Sequence, residues 1–315
     1  MKNQSENAAG KGRTASRGRA AVIGLGSMGS GMALSLLRAG FDVCGYDTNA
    51  AAMERLAAEG GRTAATPAEA AKGADFIVSV VLNAAQTETI LFGDNGVAAA
   101  MPTGSVFISS ATMGPALTRE FATRLEPTGR LYLDAPISGG AQRAADGQLT
   151  VLASGRPEAL AKAKPALDAM AAKLYELGDQ PGLGAAFKMV NQLLAGAHIA
   201  VACEAITFAA KHGLDIRKVY EVITASAGNS WMFENRVPHV LDNDYAPRSA
   251  VEIFVKDLGI VQDMARDARF PVPMAAAALQ MFLMAAGSGM GHDDDASVAR
   301  VYARVSGTPL PGEAH

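Results

Sequence analysis

Six residues, Gly24-Leu25-Gly26-Ser27-Met28-Gly29, follow the apolar stretch Ala20-Ala21-Val22-Ile23 and open a segment of helical character. G-x-G-x-x-G between a strand and a helix is the arrangement that cradles a dinucleotide pyrophosphate. Gly24 permits the tight turn, Gly26 lets the backbone approach the phosphates, and Gly29 lets the helix pack close to the strand. The helix N-terminus adds unpaired N–H groups and a positive dipole end. Asp47, 18 residues beyond Gly29, closes the next strand and is placed to accept hydrogen bonds from the adenosine ribose hydroxyls. Its charge repels a 2′-phosphate, so the expected cofactor is NAD rather than NADP.

A second group of residues has the chemistry of proton transfer. Lys188 is followed at i+3 by Asn191 and at i+4 by Gln192, which places all three on one helix face among apolar and small neighbours. Burial disfavours an ammonium and brings a lysine toward proton exchange at neutral pH. On spacing alone, a helix lysine snorkelling to solvent is the commoner case. Ser138, Gly139 and Gly140 follow a predicted strand, and their hydroxyl and successive N–H groups suit a carboxylate. An ordinary turn fits them as well. Thr112 also follows a strand; it suits a cofactor or substrate contact, or a helix cap ahead of Pro115. Lys256-Asp257 reads by spacing as a solvated helix pair. His292 with Asp293, Asp294 and Asp295 reads better as a charged helix entrance than as a metal site, and no metal is expected.

The elements that must position these groups are set by periodicity. Residues 20–23, 41–46, 75–81, 106–108 and 131–134 are short apolar runs suited to buried parallel strands. Helical segments fall at 32–39 and 50–59 between them. This alternation predicts an α/β fold with a Rossmann-type parallel sheet. Beyond Gly178-Asp179-Gln180-Pro181-Gly182 the strand pattern stops. Residues 185–212 form one long apolar helix, followed by helices at 216–225, 251–269, 274–286 and 296–305, the last capped by Asp295 or Ser297. The expected division is a tail at 1–19, an NAD-binding Rossmann domain at 20–180, and an all-α domain at 181–315.

Composition narrows the function. The chain has 315 residues, 49% hydrophobic and 19% charged, which suits about two globular domains. Residues 1–19 carry five basic side chains (Lys2, Lys11, Arg13, Arg17, Arg19) against Glu6, a net +4, so the rest of the chain carries −7 of the total −3. The body has no field that would draw nucleic acid or an anionic membrane, and neither partner is expected. The tail has no apolar h-region and reads as a disordered extension. The apolar segment 193–210 contains His198 and Glu204 and reads as a buried helix, not a span. Cys44 and Cys203 are too far apart for a disulfide framework, which suits the cytoplasm.

Taken in order, these motifs resemble the β-hydroxyacid dehydrogenase family, which includes 3-hydroxyisobutyrate dehydrogenase and tartronate semialdehyde reductase. The resemblance spans about residues 20–305. It rests on the fingerprint at 24–31, the stretch 134–147, the helix start 182–192 and Lys256-Asp257-Leu258. It implies Lys188 as the catalytic acid/base with Asn191 beside it. It implies Ser138, Gly139, Gly140 and Gln192 at the substrate. Thr112 and Lys256 would contact the cofactor near its nicotinamide end, and Leu82 and Asn83 are placed with the cofactor contacts. It implies that the all-α domain at 181–315 is a substrate and oligomerisation domain joined to the Rossmann domain through the long helix, in dimers or tetramers. Where many members read Asp-x-Ser-Thr, this chain reads Ser109-Ser110-Ala111-Thr112. Ile137, Gln142-Arg143 and residues 230–236 are most similar to the branch that oxidises threonate, a four-carbon sugar acid. Oxidation of 3-hydroxyisobutyrate, reduction of a small aldehyde acid such as tartronate semialdehyde, imine reduction, and a non-catalytic NAD-binding reader are the alternatives.

Overall fold

The computed structural model describes residues 17–312. The expectation for the tail lies outside the described residues up to position 16. Residues 17–19 depart from it. Arg17 N–H donates to Gly40 O, Asp42 N–H donates to Gly18 O, and Arg19 is the first residue of the first strand.

The first half alternates strand and helix as the apolar runs dictate: β1 (Arg19–Ile23), α1 (Ser27–Arg38), β2 (Asp42–Tyr46), α2 (Ala50–Ala58), β3 (Arg62–Thr63), α3 (Pro67–Ala71), β4 (Phe76–Ser79), α4 (Ala84–Phe92), α5 (Val97–Ala100), β5 (Val106–Ser109), α6 (Pro115–Leu125) and β6 (Leu131–Asp134). The six strands form one parallel sheet in the order β3-β2-β1-β4-β5-β6. That order reverses beside β1, and a crevice for a ligand opens at such a switch point. Buried clusters cover both faces: Val22, Met32, Leu36, Val78 and Ile108 on one, Ile23, Ile77, Phe107 and Tyr132 on the other. Helix α1 begins at Ser27, five residues before its predicted start, because Gly26 caps it directly after the glycine turn.

A small second sheet comes next, and the sequence pattern does not announce it. It comprises β7 (Ile137–Ser138), β8 (Leu149–Ala153) and β9 (Ala171–Glu176), with α7 (Gly140–Ala145) and α8 (Pro157–Met170) between them. Its strands are short, and β9 has an exposed, mixed sequence without clean alternation. Paired N–H···O bonds between Asp134 and Ser154, 3.0 and 2.8 Å, tie it to the end of β6.

The second half is helical: α9 (Leu183–Lys211), α10 (Ile216–Thr224), α11 (Trp231–Leu241), α12 (Val251–Ala268), α13 (Pro273–Ala285) and α14 (Val298–Ser306). Helix α9 has 29 residues and runs about 43 Å. Its inner face, including Met189, Ile199, Cys203 and Ile206, packs with Phe233, Val237, Phe254, Leu258 and Phe282 of the surrounding helices. By length and composition, α9 and residues Pro273–Met290 could each cross a bilayer, but half of the apolar window of α9 is buried inside the protein. Helix α11 is hidden in the sequence because Pro238 interrupts its pattern; Ser230 caps it, accepting from Phe233 N–H at 3.1 Å. Of the two expected caps, Ser297 holds the cap position of α14 but makes no side-chain capping bond; Asp294, which accepts from Ala296 N–H at 3.1 Å, caps a 3-10 turn at Asp295–Ser297 that leads into the helix.

Candidate active site

The glycine turn has the shape its sequence demands. Gly24 takes φ +92°, and a Cβ there would lie 2.4 Å from Val80 O. A Cβ on Gly29 would lie 1.8 Å from Gly24 O, so only hydrogen fits. Gly26 faces open space, and no side chain caps the first turn of α1. A cavity of about 290 Å³ adjoins it, lined by Leu25, Gly26, Ser27, Ser30, Asp47, Asn49, Ala52 and Arg55. Asp47 Oδ2 accepts from Leu25 N–H at 2.6 Å, and Oδ1 accepts from Asn49 N–H at 2.7 Å. Asn49 in turn caps α2 through Ala51 N–H. These bonds fix the carboxylate at the cavity wall. An open glycine backbone, a free helix N-terminus and an anchored acid fit a dinucleotide. Met28 is half-buried against the core; Leu25 is buried, so it offers its backbone rather than its side chain. Asn49 and Arg55 escape sequence reasoning because they belong to the next helix and carry no motif.

Leu82 and Asn83 lie beyond β4, beside the fingerprint strand. Asn83 Oδ1 caps α4 by accepting from Gln86 N–H at 2.9 Å, and Gln86 Oε1 accepts from Leu82 N–H at 2.9 Å. This reciprocal cap commits the Asn83 carboxamide oxygen to the helix, while Leu82 projects into solvent. Thr112 follows β5 and is not a helix cap, since Gly114 holds the cap position of α6. Its carbonyl accepts from Lys256 Nζ at 3.3 Å. Ser109 and Ala111 are both buried at the end of β5, under this loop.

At the end of β6 stands a residue that sequence reasoning overlooked. Asp134 is buried, and its Oδ2 accepts from Gly182 N–H and Ala185 N–H, each at 2.9 Å, and from Ser154 Oγ at 3.0 Å. Ser154 Oγ also accepts from Gly184 N–H at 2.8 Å. Burial pushes the Asp134 carboxyl up to about 6, against the pull of these bonds. The carboxylate therefore sits on the positive end of α9 and anchors that helix to the carboxyl edge of the sheet. Its only signal in the sequence is an acid closing a predicted strand. Four residues on, Ser138 pairs with Thr150 across β7 and β8, and Gly139 (φ +135°) and Gly140 (φ +81°) turn away from it. The loop thus leaves β6 at the same edge from which α9 starts.

Lys188 lies one turn into α9 and is 8% exposed, so it does not snorkel. Burial brings its ammonium down to about 8; Asp257 opposes the shift and Lys256 adds to it. Asn191 Nδ2 donates to Gln192 Oε1 at 2.9 Å, and Gln192 Nε2 donates to Asp257 Oδ2 at 2.5 Å. Asp257 Oδ1 forms an ion pair with Lys256 Nζ. The expected solvated pair is therefore corrected: Asp257 is buried and Lys256 half-buried, because Asp257 bonds to Gln192 of α9 and Lys256 reaches Thr112 in the loop after β5. Gly196 allows this approach, since a Cβ there would meet Leu258 Cδ1 at 2.9 Å. Lys188, Asn191, Gln192 and Lys256 thus come together, and the Lys256–Thr112 bond ties them to the sheet. The His292–Asp295 run stands apart. Asp293 pairs with Arg300 at 3.0 Å, Asp294 with His239 at 2.8 Å, and Asp295 with Arg236 at 2.5 Å.

Comparison with known proteins agrees with this architecture. Residues 19–178 match the family described as the NAD binding domain of 6-phosphogluconate dehydrogenase. Residues 182–302 match the NAD-binding family of NADP-dependent 3-hydroxyisobutyrate dehydrogenase. The L-threonate dehydrogenase of Cupriavidus necator is 52% identical over 293 residues, 93% of this chain and 98% of that protein. The L-threonate dehydrogenase of Escherichia coli K12 is 45% identical over 301 residues, 95% of this chain and 99% of that protein. A crystal structure of a 3-hydroxyisobutyrate dehydrogenase from Salmonella typhimurium superposes with TM-score 0.86 at 48% identity, covering 90% of this chain and 99% of that one. These are dehydrogenases throughout, so the non-catalytic reader is set aside. The chain belongs to the family of 3-hydroxyisobutyrate dehydrogenase-related oxidoreductases and uses NAD as its cofactor.

Proposed function

We propose that the protein oxidises L-threonate to 2-dehydro-L-erythronate, with Lys188 as the acid/base. The observation that carries the mechanism is a buried lysine, brought down to about 8, at the carboxyl edge of a dinucleotide-binding sheet. The names of the relatives at 52% and 45% identity support the substrate. NAD, when bound, supplies the acceptor for the hydride. The residues of this chain do the rest. Ser138 and the N–H groups of Gly139 and Gly140 receive the substrate carboxylate. Asn191 and Gln192 orient the hydroxyl, and Lys188 Nζ takes its proton as the carbonyl forms. The cofactor contacts are Gly24, Leu25, Gly26, Ser27, Met28 and Gly29 at the pyrophosphate, Asp47 at the ribose, and Leu82, Asn83, Thr112 and Lys256 toward the nicotinamide. The loop from Ser138 to Gly140 would hold a 3-hydroxyisobutyrate or tartronate semialdehyde carboxylate equally well, and the name of the Salmonella neighbour favours the first of these as the alternative.

The same reading divides the chain into a Rossmann domain at 20–180 and a substrate and oligomerisation domain at 181–315. We place the protein in the cytoplasm, a reading supported by two free, buried cysteines, and as a homodimer or homotetramer. The support for assembly is an exposed stripe on α9: Phe187, Val190, Leu194, Val201 and Phe208. These residues recur at helical spacing, so they share one face.

An absorbance assay with NAD and with NADP over C3–C5 hydroxy acids, including both threonate enantiomers, tests the function. L-Threonate with NAD is expected to give the highest kcat/KM. A higher value for 3-hydroxyisobutyrate would overturn the substrate.

A further inference from the structure

Asp257 has no part in the reaction as written, yet it is among the most buried charged groups near Lys188, at 1% exposure. A buried carboxylate is costly unless it is paired and hydrogen-bonded. Asp257 is both, and its partners are informative. Oδ1 holds Lys256 Nζ, which also donates to Thr112 O at 3.3 Å. Oδ2 accepts from Gln192 Nε2 at 2.5 Å, and Gln192 Oε1 accepts from Asn191 Nδ2 at 2.9 Å. One carboxylate therefore joins α9, α12 and the loop after β5 into a single polar chain. Lys188, 8% exposed, has no hydrogen bond from its Nζ to any of the described residues and lies within the field of that chain. The charged groups that act on it are Asp257 and Lys256, both from α12. Asp134, at the other end of this turn, spends its oxygen on the N–H groups of Gly182 and Ala185.

We propose that Asp257 is a positioning residue for the reaction: it fixes Gln192, Asn191 and Lys256 around Lys188 and supplies the field in which the Lys188 amine gains and loses its proton. Asp257 touches neither the substrate hydroxyl nor the transferred hydrogen. It acts in two ways. Through hydrogen bonds it orients the amide groups that receive the substrate. Through space its negative charge favours the ammonium of Lys188, while Lys256 disfavours it. The two residues of the pair therefore pull the same proton equilibrium in opposite directions. This inference rests on Lys188 being the acid/base, and the experiment separates the two claims.

The direct readout is the pH titration of the Lys188 13Cε resonance in the full-length protein labelled with [13C]lysine, assigned by its loss in Lys188→Met. In the wild type the midpoint is expected at about 8. Asp257→Asn removes the favourable charge and is expected to lower the midpoint by about one pH unit or more. Lys256→Gln removes the unfavourable charge and is expected to raise it. Asp257→Glu keeps the charge and is expected to stay near the wild-type midpoint. A residue that serves packing alone would not produce shifts of opposite sign. If both Asp257→Asn and Lys256→Gln leave the midpoint in place, or move it in the same sense, the proposal is overturned. Should Asp257→Asn fold poorly, Lys256→Gln and Asp257→Glu carry the same test.

The second readout is the acid limb of kcat/KM for oxidation, which requires the neutral amine. It is expected to move to lower pH in Asp257→Asn and to higher pH in Lys256→Gln. Midpoints that move while the limb stays would support the role of Asp257 in setting the Lys188 titration and overturn Lys188 as the base.

Discussion

Lys188 and Asp134 are both buried, and the same physics drives them in opposite directions. Loss of water disfavours the charged form of each, so the ammonium falls to about 8 and the carboxyl rises to about 6. Their tasks differ because their partners differ. Asp134 is saturated by backbone N–H groups and a hydroxyl, which makes it an anchor. Lys188 Nζ has no hydrogen-bond partner among the described residues, which in the proposed reaction leaves its amine for the substrate. In Lys188→Ala, NAD binding followed by fluorescence is expected to persist while kcat falls by about 10²-fold or more. Turnover near the wild-type level would remove Lys188 from the reaction. The sequence made Lys188 a candidate through its apolar neighbours and the Asn191-Gln192 pair. It gave no sign of Asp257 as a neighbour, because a contact across 65 positions depends on how two helices cross.

At the scale of elements, the start of α9 decides whether the site exists. Three consecutive devices hold it: Gly182 in a left-handed cap at φ +102°, the Asp134–Ser154 cradle, and the close approach of Gly184. A Cβ on Gly184 would lie 2.3 Å from the carbonyl oxygen of Leu152, a backbone atom on β8 that cannot swing aside. Gly184→Ala is therefore expected to lower stability by about 1–3 kcal/mol, read as a lower urea midpoint at unchanged slope. Because Lys188 lies one turn later, kcat is expected to fall as well. Strong apolar runs made β1, β2, β4, β5, β6 and the long helix legible in the sequence. The β7-β8-β9 sheet was not legible, since it is short and its register is set by pairing with the end of β6. Nor was α11, whose pattern Pro238 breaks.

At the scale of the molecule, the two halves meet at the start of α9 and through the Lys256–Thr112 bond, and in the proposed reaction each half supplies part of the cleft. The sheet offers its carboxyl edge; the helical half offers Lys188, Asn191, Gln192 and Lys256. The outer face of α9 is left with Phe187, Val190, Leu194, Val201 and Phe208, each at least half exposed. Covering such a stripe with the same stripe of a second copy gives a closed, two-fold assembly. Light scattering is expected to give a mass at least twice the 32.4 kDa of the chain. Leu194→Asp, in the middle of the stripe, is expected to shift the population toward the monomer. A monomeric wild type would refute the assembly.

Sequence alone determined the features that local chemistry dictates: a dinucleotide turn where only glycine fits, an acid at its proper spacing, alternating elements, and a family resemblance carried by four short motifs. These depend on residues near one another in the chain, where periodicity and conformational preference act. Tertiary structure decided the rest. It buried Lys188, turned Lys256 and Asp257 from a solvated pair into an internal one, and placed Asp134 under the long helix. Those outcomes depend on which surfaces lose water and which distant groups come within hydrogen-bonding reach, and only the packing of α9 against β6 and α12 fixes either.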